Sequence, residues 1–304
     1  MKYVFVTGAS GFVGRHFCKY LESSPDWTPI AAAEGFDLRD AADVTRTIAS
    51  LRPLDAVLHL AAQSNVPEAF ADPYGTLQIN FLGTLALLNA LKASGFRGRF
   101  LYIGTADAYG LVAEKDLPVR EERALRPRNP YAVSKAAAEA LVYQWTQTEA
   151  LDAVLLRPFN HIGPGQDARF AVAAFARQFA EITLGRRPPR LEVGDLDVTR
   201  DFTDVRDVAR AYAELLTRGE PGSIYNIGSG AETRLRDVVD ALSALADIKV
   251  DVVVDSARLR PSEQRRMVAD TALIRNAIGW RPQYRLEQTL EDIFKDWKER
   301  LAHD

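Results

Sequence analysis

KYVFVTGASGFVGRHFCKYL, residues 2–21, sets a short apolar run directly against Gly8, Gly11 and Gly14 and follows them with helix-like spacing. A strand, a glycine turn and a helix in that order form the opening unit of an α/β sheet. Glycines there permit a tight turn, close approach of backbone to a pyrophosphate and close packing of helix on strand, while the helix N-terminal amides receive negative charge. The competing reading, a merely structural turn, does not need all three glycines. Their even spacing, three residues and three again, differs from the commonest dinucleotide fingerprint.

Beyond the turn, apolar runs recur at PIAAA (29–33), DAVLHLAA (55–62), RFLYIGT (99–105) and DAVLLRPFN (152–160), with helix-like segments between them. This alternation predicts an α/β fold, a Rossmann-type doubly wound parallel sheet covered on both faces. After residue 160 the pattern loosens into the loop-rich GPGQDARF and GRRPPRLEVGDLDVTRD. The expected organisation is a dinucleotide-binding domain over 1–160 and about 196–225, with a smaller α/β substrate-binding lobe over about 161–195 and 226–304. The last stretch, GWRPQYRLEQTLEDIFKDWKERL, reads as a terminal docking helix.

The 304 residues are 47% hydrophobic and carry a formal charge of −3, with 38 basic and 41 acidic residues interspersed. No basic surface for nucleic acid is expected. The single cysteine, Cys18, excludes a disulfide framework and a cysteine-rich metal site. His16, His59, His161 and His303 are too scattered for a metal. No apolar run approaches the roughly 18 residues of a membrane span, and the chain reads from its start into a strand, so a cytoplasmic location is expected.

NPYAVSK, residues 129–135, begins a helix with asparagine as cap and proline in the first turn. Tyr131 and Lys135 then share one face. An ammonium beside a phenol lowers the phenol's pKa from its usual value near 10, so the pair predicts proton transfer, against the bland reading of an exposed helix face. Thr105, at the end of RFLYIGT, can hold a substrate carbonyl oxygen for Tyr131. The plain alternative is a strand threonine.

The glycine spacing and this Thr, Tyr, Lys set resemble the extended short-chain dehydrogenase/reductase family. Within it, HLAAQSNVPEAFADP, RNPYAVSK, RPFNHIGPGQ, LEVGDLDVTRDF and GWRP are similar to the bacterial GDP-6-deoxy-D-mannose reductases from Met1 to the final helix. The resemblance implies reduction of the C4 ketone of GDP-4-dehydro-6-deoxy-D-mannose to GDP-D-rhamnose by NADPH or NADH, in a homodimer paired through helices near 75–92 and 130–147. It implies Thr105, Tyr131 and Lys135 as catalytic residues, with Asn80 as a structural support. Gly8, Gly11, Phe12, Val13, Gly14, Asp37, Leu38, Leu60, Ala61 and Ala62, with Tyr131 and Lys135, would hold the dinucleotide. Thr105, Ala106, Asn160, Arg200, Arg260 and Glu263 would surround the GDP-sugar.

Cofactor choice stays open, because Glu34 favours a free ribose hydroxyl while Arg15 and Arg39 offset it. The family's dehydratases place acidic residues directly after the threonine. Here Ala106 has no proton to give, and Asp107 is one methylene shorter than the glutamate usual there, which favours reduction over dehydration or 4-epimerisation. A dinucleotide-binding sensor without catalysis is the remaining alternative.

Overall fold

The computed structural model describes residues 1–256 and 264–303. Its strands are β1 (Lys2–Thr7), β2 (Trp27–Ala31), β3 (Ala56–His59), β4 (Arg99–Ile103), β5 (Ala153–Pro158), β6 (Asn160–Ile162), β7 (Arg190–Val193), β8 (Thr199–Arg200), β9 (Phe202–Asp204), β10 (Ile224–Ile227), β11 (Thr233–Arg234) and β12 (Asp251–Val254). The helices are α1 (Phe12–Glu22), α2 (Ala41–Ser50), α3 (Val66–Ala71), α4 (Pro73–Leu77), α5 (Gly83–Ala93), α6 (Pro130–Thr148), α7 (Ala171–Thr183), α8 (Val205–Arg218), α9 (Leu235–Ala246), α10 (Ala272–Ile278) and α11 (Leu286–His303).

Six strands in the order β10-β5-β4-β3-β1-β2 form one parallel sheet. The five runs read from sequence supply β1 to β5. The sheet is buried on both faces, which is why β3 and β5 are buried along their whole length and mostly apolar rather than alternating. One face carries α1, α8 and Trp280 and the other carries α2, α5 and α6, each with its own buried cluster. Ile227, α10 and Trp280, which the sequence assigns to the lobe, sit instead in the sheet's core, because β10 extends the ladder and Ile274, Ile278 and Trp280 cap its edge.

A separate core joins α7, α9, α11 and β7. Its terminal helix docks as expected. Asp207, buried on α8, accepts from Gln283 N and Tyr284 N at 2.8 and 2.9 Å, and Asp204 accepts from Thr289 Oγ1 at 2.7 Å, so α11 is tied at its start to the sheet-side helix.

Reading outward from β1, chain connectivity reverses direction between β1 and β3. In open α/β sheets the crevice at such a switch point, beyond the carboxyl ends of the strands, is the ligand site. The glycine turn after β1 and Leu60, Ala61 and Ala62 after β3 lie there.

Candidate active site

Gly8 has φ +71° and approaches the segment after β3 so closely that a Cβ would stand 2.8 Å from Ala61 N. At Gly14 a Cβ would meet Gly8 O at 2.2 Å. These two positions therefore require glycine, one for conformation and proximity, the other for helix-on-turn contact. Gly11 caps α1 without a side-chain acceptor, and the first turn, which holds Phe12, Val13 and Gly14, has no acidic residue. Its amides are thus available to a pyrophosphate, and the residues present fit a dinucleotide.

Where the sequence reading expects the adenosine, Asp37 accepts from Arg39 with both carboxylate oxygens, Oδ1 from Nε at 3.0 Å and Oδ2 from Nη2 at 2.7 Å. Leu38 is buried beneath the start of α5, where a Cβ on Gly83 would meet it at 2.7 Å. Arg15 joins the glycine turn to the loop after β6, donating to Ser10 O at 2.5 Å and to Gly165 O at 3.1 Å.

The proton-transfer set converges on the carboxyl side of β4. Asn129 caps α6 by accepting from Ala132 N at 2.7 Å, which places Tyr131 and Lys135 in the first two turns. Thr105 begins the turn after β4, accepts from Asp107 N at 3.2 Å, and its side chain hydrogen-bonds the Tyr131 phenol. Ala106, buried at 5% exposure, offers no polar group beside it, whereas Asp107 is exposed.

The charge balance differs from the sequence expectation. Burial, then the Asp107 carboxylate, pushes the Tyr131 phenol up, and the bond from Thr105 only partly opposes them. Lys135 does not make it acidic. Its ammonium lies over the Tyr102 ring, 4.7 Å from the centroid, and burial lowers its own pKa to about 7 against the pull of Glu139. The helix-neighbour argument counted Coulomb attraction and left out desolvation. A phenol held neutral is the correct state for donating a proton, and a phenolate would serve an enzyme that begins by oxidising its substrate.

Because Lys135 has a folded pKa near 7, below its ordinary value of 10.5, the unfolded chain binds one more proton between those limits. Its contribution therefore makes stability rise with pH from about 7 to about 10.5. Lys135→Met is expected to flatten that rise in denaturant midpoints measured across the window; an unchanged slope would contradict the lowered pKa.

Two groups that sequence reading missed brace this set. Arg157, 4% exposed on β5, donates to both oxygens of Glu139 at 2.9 and 2.6 Å, to Tyr109 Oη at 3.0 Å and to Glu121 O at 2.8 Å. Glu139 lies one turn beyond Lys135, and Tyr109 closes the turn begun by Thr105. One guanidinium thus holds both elements of the site. A lone arginine inside the otherwise apolar DAVLLRPFN was the available signal.

Of the residues expected around the substrate, Asn160 is exposed on β6 and pairs in register with Phe202, two residues beyond Arg200. Arg200 is half-buried and donates to Thr199 O at 2.7 Å. The loop after β6 is joined to α1: the His161 ring stacks on Phe12 with centroids 6.1 Å apart, and His16 Nε2 donates to Pro164 O at 2.8 Å. His161 Nδ1 donates to Phe159 O at 3.1 Å, which holds the ring in place at the edge of this loop. Arg260 and Glu263 lie outside the described residues.

Among the described residues no cluster of three metal-ligating side chains and no helix long and apolar enough to cross a membrane occurs.

Comparison with known proteins places these features in a family. The model of the family described as GDP-mannose 4,6 dehydratase matches residues 30–293. GDP-6-deoxy-D-mannose reductase from Pseudomonas aeruginosa is 48% identical over 302 residues, spanning 99% of each chain. The solved structure of RMD from Pseudomonas aeruginosa complexed with NADPH superposes with a TM-score of 0.94 at 48% identity, covering 99% of this chain and 100% of that one. UDP-glucose 4-epimerase from Thermus thermophilus, in complex with NAD, gives 0.85 at 30% identity over 97% and 99%.

Proposed function

We propose, on the premise that this chain belongs to the GDP-mannose 4,6-dehydratase family of extended short-chain dehydrogenases/reductases, that it reduces the C4 ketone of GDP-4-dehydro-6-deoxy-D-mannose to GDP-D-rhamnose. It is an oxidoreductase that binds NAD(P)H. The observation that carries the choice of reduction within this family is Ala106, an apolar residue beside Thr105 where elimination from C5 and C6 would need an acid.

In this reading Gly8, Gly11 and the first turn of α1 receive the pyrophosphate, Asp37 and Leu38 flank the adenine, and Leu60, Ala61 and Ala62 border the chain of the dinucleotide. The bound nicotinamide supplies hydride to C4. Thr105 orients the ketone oxygen, and Tyr131 gives it a proton as negative charge gathers there. Lys135 positions the nicotinamide ribose. Asn160 and Arg200 suit the diphosphate, with Arg260 and Glu263 assigned to the same GDP-sugar by sequence alone. The sheet side, including α8 and β10, is the dinucleotide half, and the core around α7, α9 and α11 is the sugar-nucleotide half.

A homodimer in the cytoplasm completes the proposal. Its support is an apolar surface on α3 to α6, where Phe70, Tyr74, Leu82, Val133 and Tyr143 are 63, 70, 47, 43 and 48% exposed. The test is incubation with GDP-4-dehydro-6-deoxy-D-mannose and either reduced nicotinamide, with the product identified by NMR and the mass in solution by light scattering. Expected are GDP-D-rhamnose and a two-chain mass. Failure to oxidise either nicotinamide, or nicotinamide oxidation without a C4 alcohol as product, would overturn the reductase, and a one-chain mass the dimer.

A further inference from the structure

His59, at the end of β3, is 1% exposed in the middle of the sheet and takes no part in the chemistry above. Its hydrogen bonds can be given directions by elimination. Asn80 O is a carbonyl and only accepts, so Thr84 Oγ1, 2.7 Å away, donates its one proton there. Thr84 can then only accept from His59 Nε2 at 3.0 Å, which puts a proton on Nε2.

Burial, and then the nearby Lys135 ammonium, push the imidazole down to about 3, so it is neutral at working pH and its other nitrogen is an acceptor. Thr7 Oγ1, 2.8 Å from Nδ1, must donate, and Thr7 in turn accepts from Ala61 N at 3.2 Å.

The side chain of Asn80 makes bonds of its own. Its Oδ1 accepts from Gln63 N at 2.8 Å, and its Nδ2 donates to Gln63 O and to Ser134 Oγ, both at 2.9 Å. Ser134 Oγ gives its proton to Tyr131 O at 2.7 Å. Thr7, His59, Thr84, Asn80 and Ser134 are all at most 1% exposed. In a buried network of this kind, loss of one member leaves its neighbours unpaired. Asn80 sits in a π-helical turn over Gln78–Leu82, a local widening that sets its amide toward both the segment after β3 and α6.

We propose that His59 is a positioning residue of the reaction: its single tautomer ties the cofactor-binding turn at Thr7 and Ala61 to Thr84 and so to the backbone of Asn80, the residue whose side chain braces Gln63 and, through Ser134, the backbone of Tyr131. The proposal rests on the ketoreductase reading of the site, and it makes dinucleotide binding and proton delivery depend on one buried imidazole that touches neither reactant.

The test is His59→Phe, which keeps a ring between Phe100 and Tyr102 and removes both nitrogens, together with Thr84→Val and the double variant. NADPH affinity is read by fluorescence titration, kcat and KM by turnover, and folding by thermal unfolding. Each single variant is expected to weaken NADPH binding and to lower kcat, each by about ten- to a hundred-fold, with KM for the nucleotide sugar unchanged. The double variant is expected to be no worse than the poorer single one, because the chain acts as a unit. Folded variants with wild-type NADPH affinity and kcat, or losses that simply add, would reduce His59 to core packing. If His59→Phe does not fold, Thr84→Val decides the same question. NADPH affinity needs no sugar substrate, so a shift there stands even if the wild-type protein reduces a different ketone.

Discussion

Tyr131→Phe is expected to lower turnover by about 10²–10⁴-fold, the usual contribution of a positioned general acid. The phenol's only loss is its proton and hydroxyl oxygen, and the ring stays in place on α6. NADPH affinity is therefore expected to stay at the wild-type value, since the amides of α1 and the close contact of Gly8 with Ala61 do not involve the phenol. Steady-state turnover with a parallel NADPH titration checks both halves. Full activity in the variant would remove Tyr131 as the acid, and the loss of NADPH binding would show a structural role instead. The neutral state of Tyr131 adds a sign. With the phenol raised by burial and Asp107, the acid stays protonated through neutral pH, so its ionisation does not limit reduction there.

Arg157→Met is expected to cost about 3–5 kcal/mol of stability, because it strands the Glu139 carboxylate, 5% exposed, without its partner. Tyr109 Oη and Glu121 O lose a donor at the same time, so the turn carrying Thr105 loosens along with α6. Adding Glu139→Gln is expected to restore part of the loss by removing the uncompensated charge. Denaturant midpoints of the wild type, the single and the double variant measure this. A single-variant loss below about 1 kcal/mol, the range of exposed pairs, would mean the ion pair is solvated.

The sheet and its glycine turn were legible because their signals are local. Apolar runs, turn residues and caps act within a few positions, and Gly8, Gly14, Asn129 and Thr105 declare themselves by their neighbours. Tyr131 and Lys135 were legible for the same reason, one turn apart on a single helix.

The bracing around them was not. Arg157 meets Glu139 across 18 positions and Tyr109 across 48, and His59 meets Thr7 across 52, distances bridged only by strand order and register. β10 was passed over because IYNI is short and half polar, and its place depends on a free edge at β5. The sign of the Tyr131 shift failed for another reason: a helix neighbour is visible in sequence, and the low dielectric around it is not.

The two flanks of the sheet draw on different parts of the chain. α2, α5 and α6 follow within the first 148 residues, whereas the opposite flank waits for α8, β10, α10 and Trp280. On a ribosome the protein therefore emerges unevenly clothed, with that side of the sheet covered by α1 alone and Leu58 and Leu101 short of their full cover until Trp280 has been made. That interval is the period of greatest aggregation hazard in its biogenesis, and it ends only when the late segments close over that side.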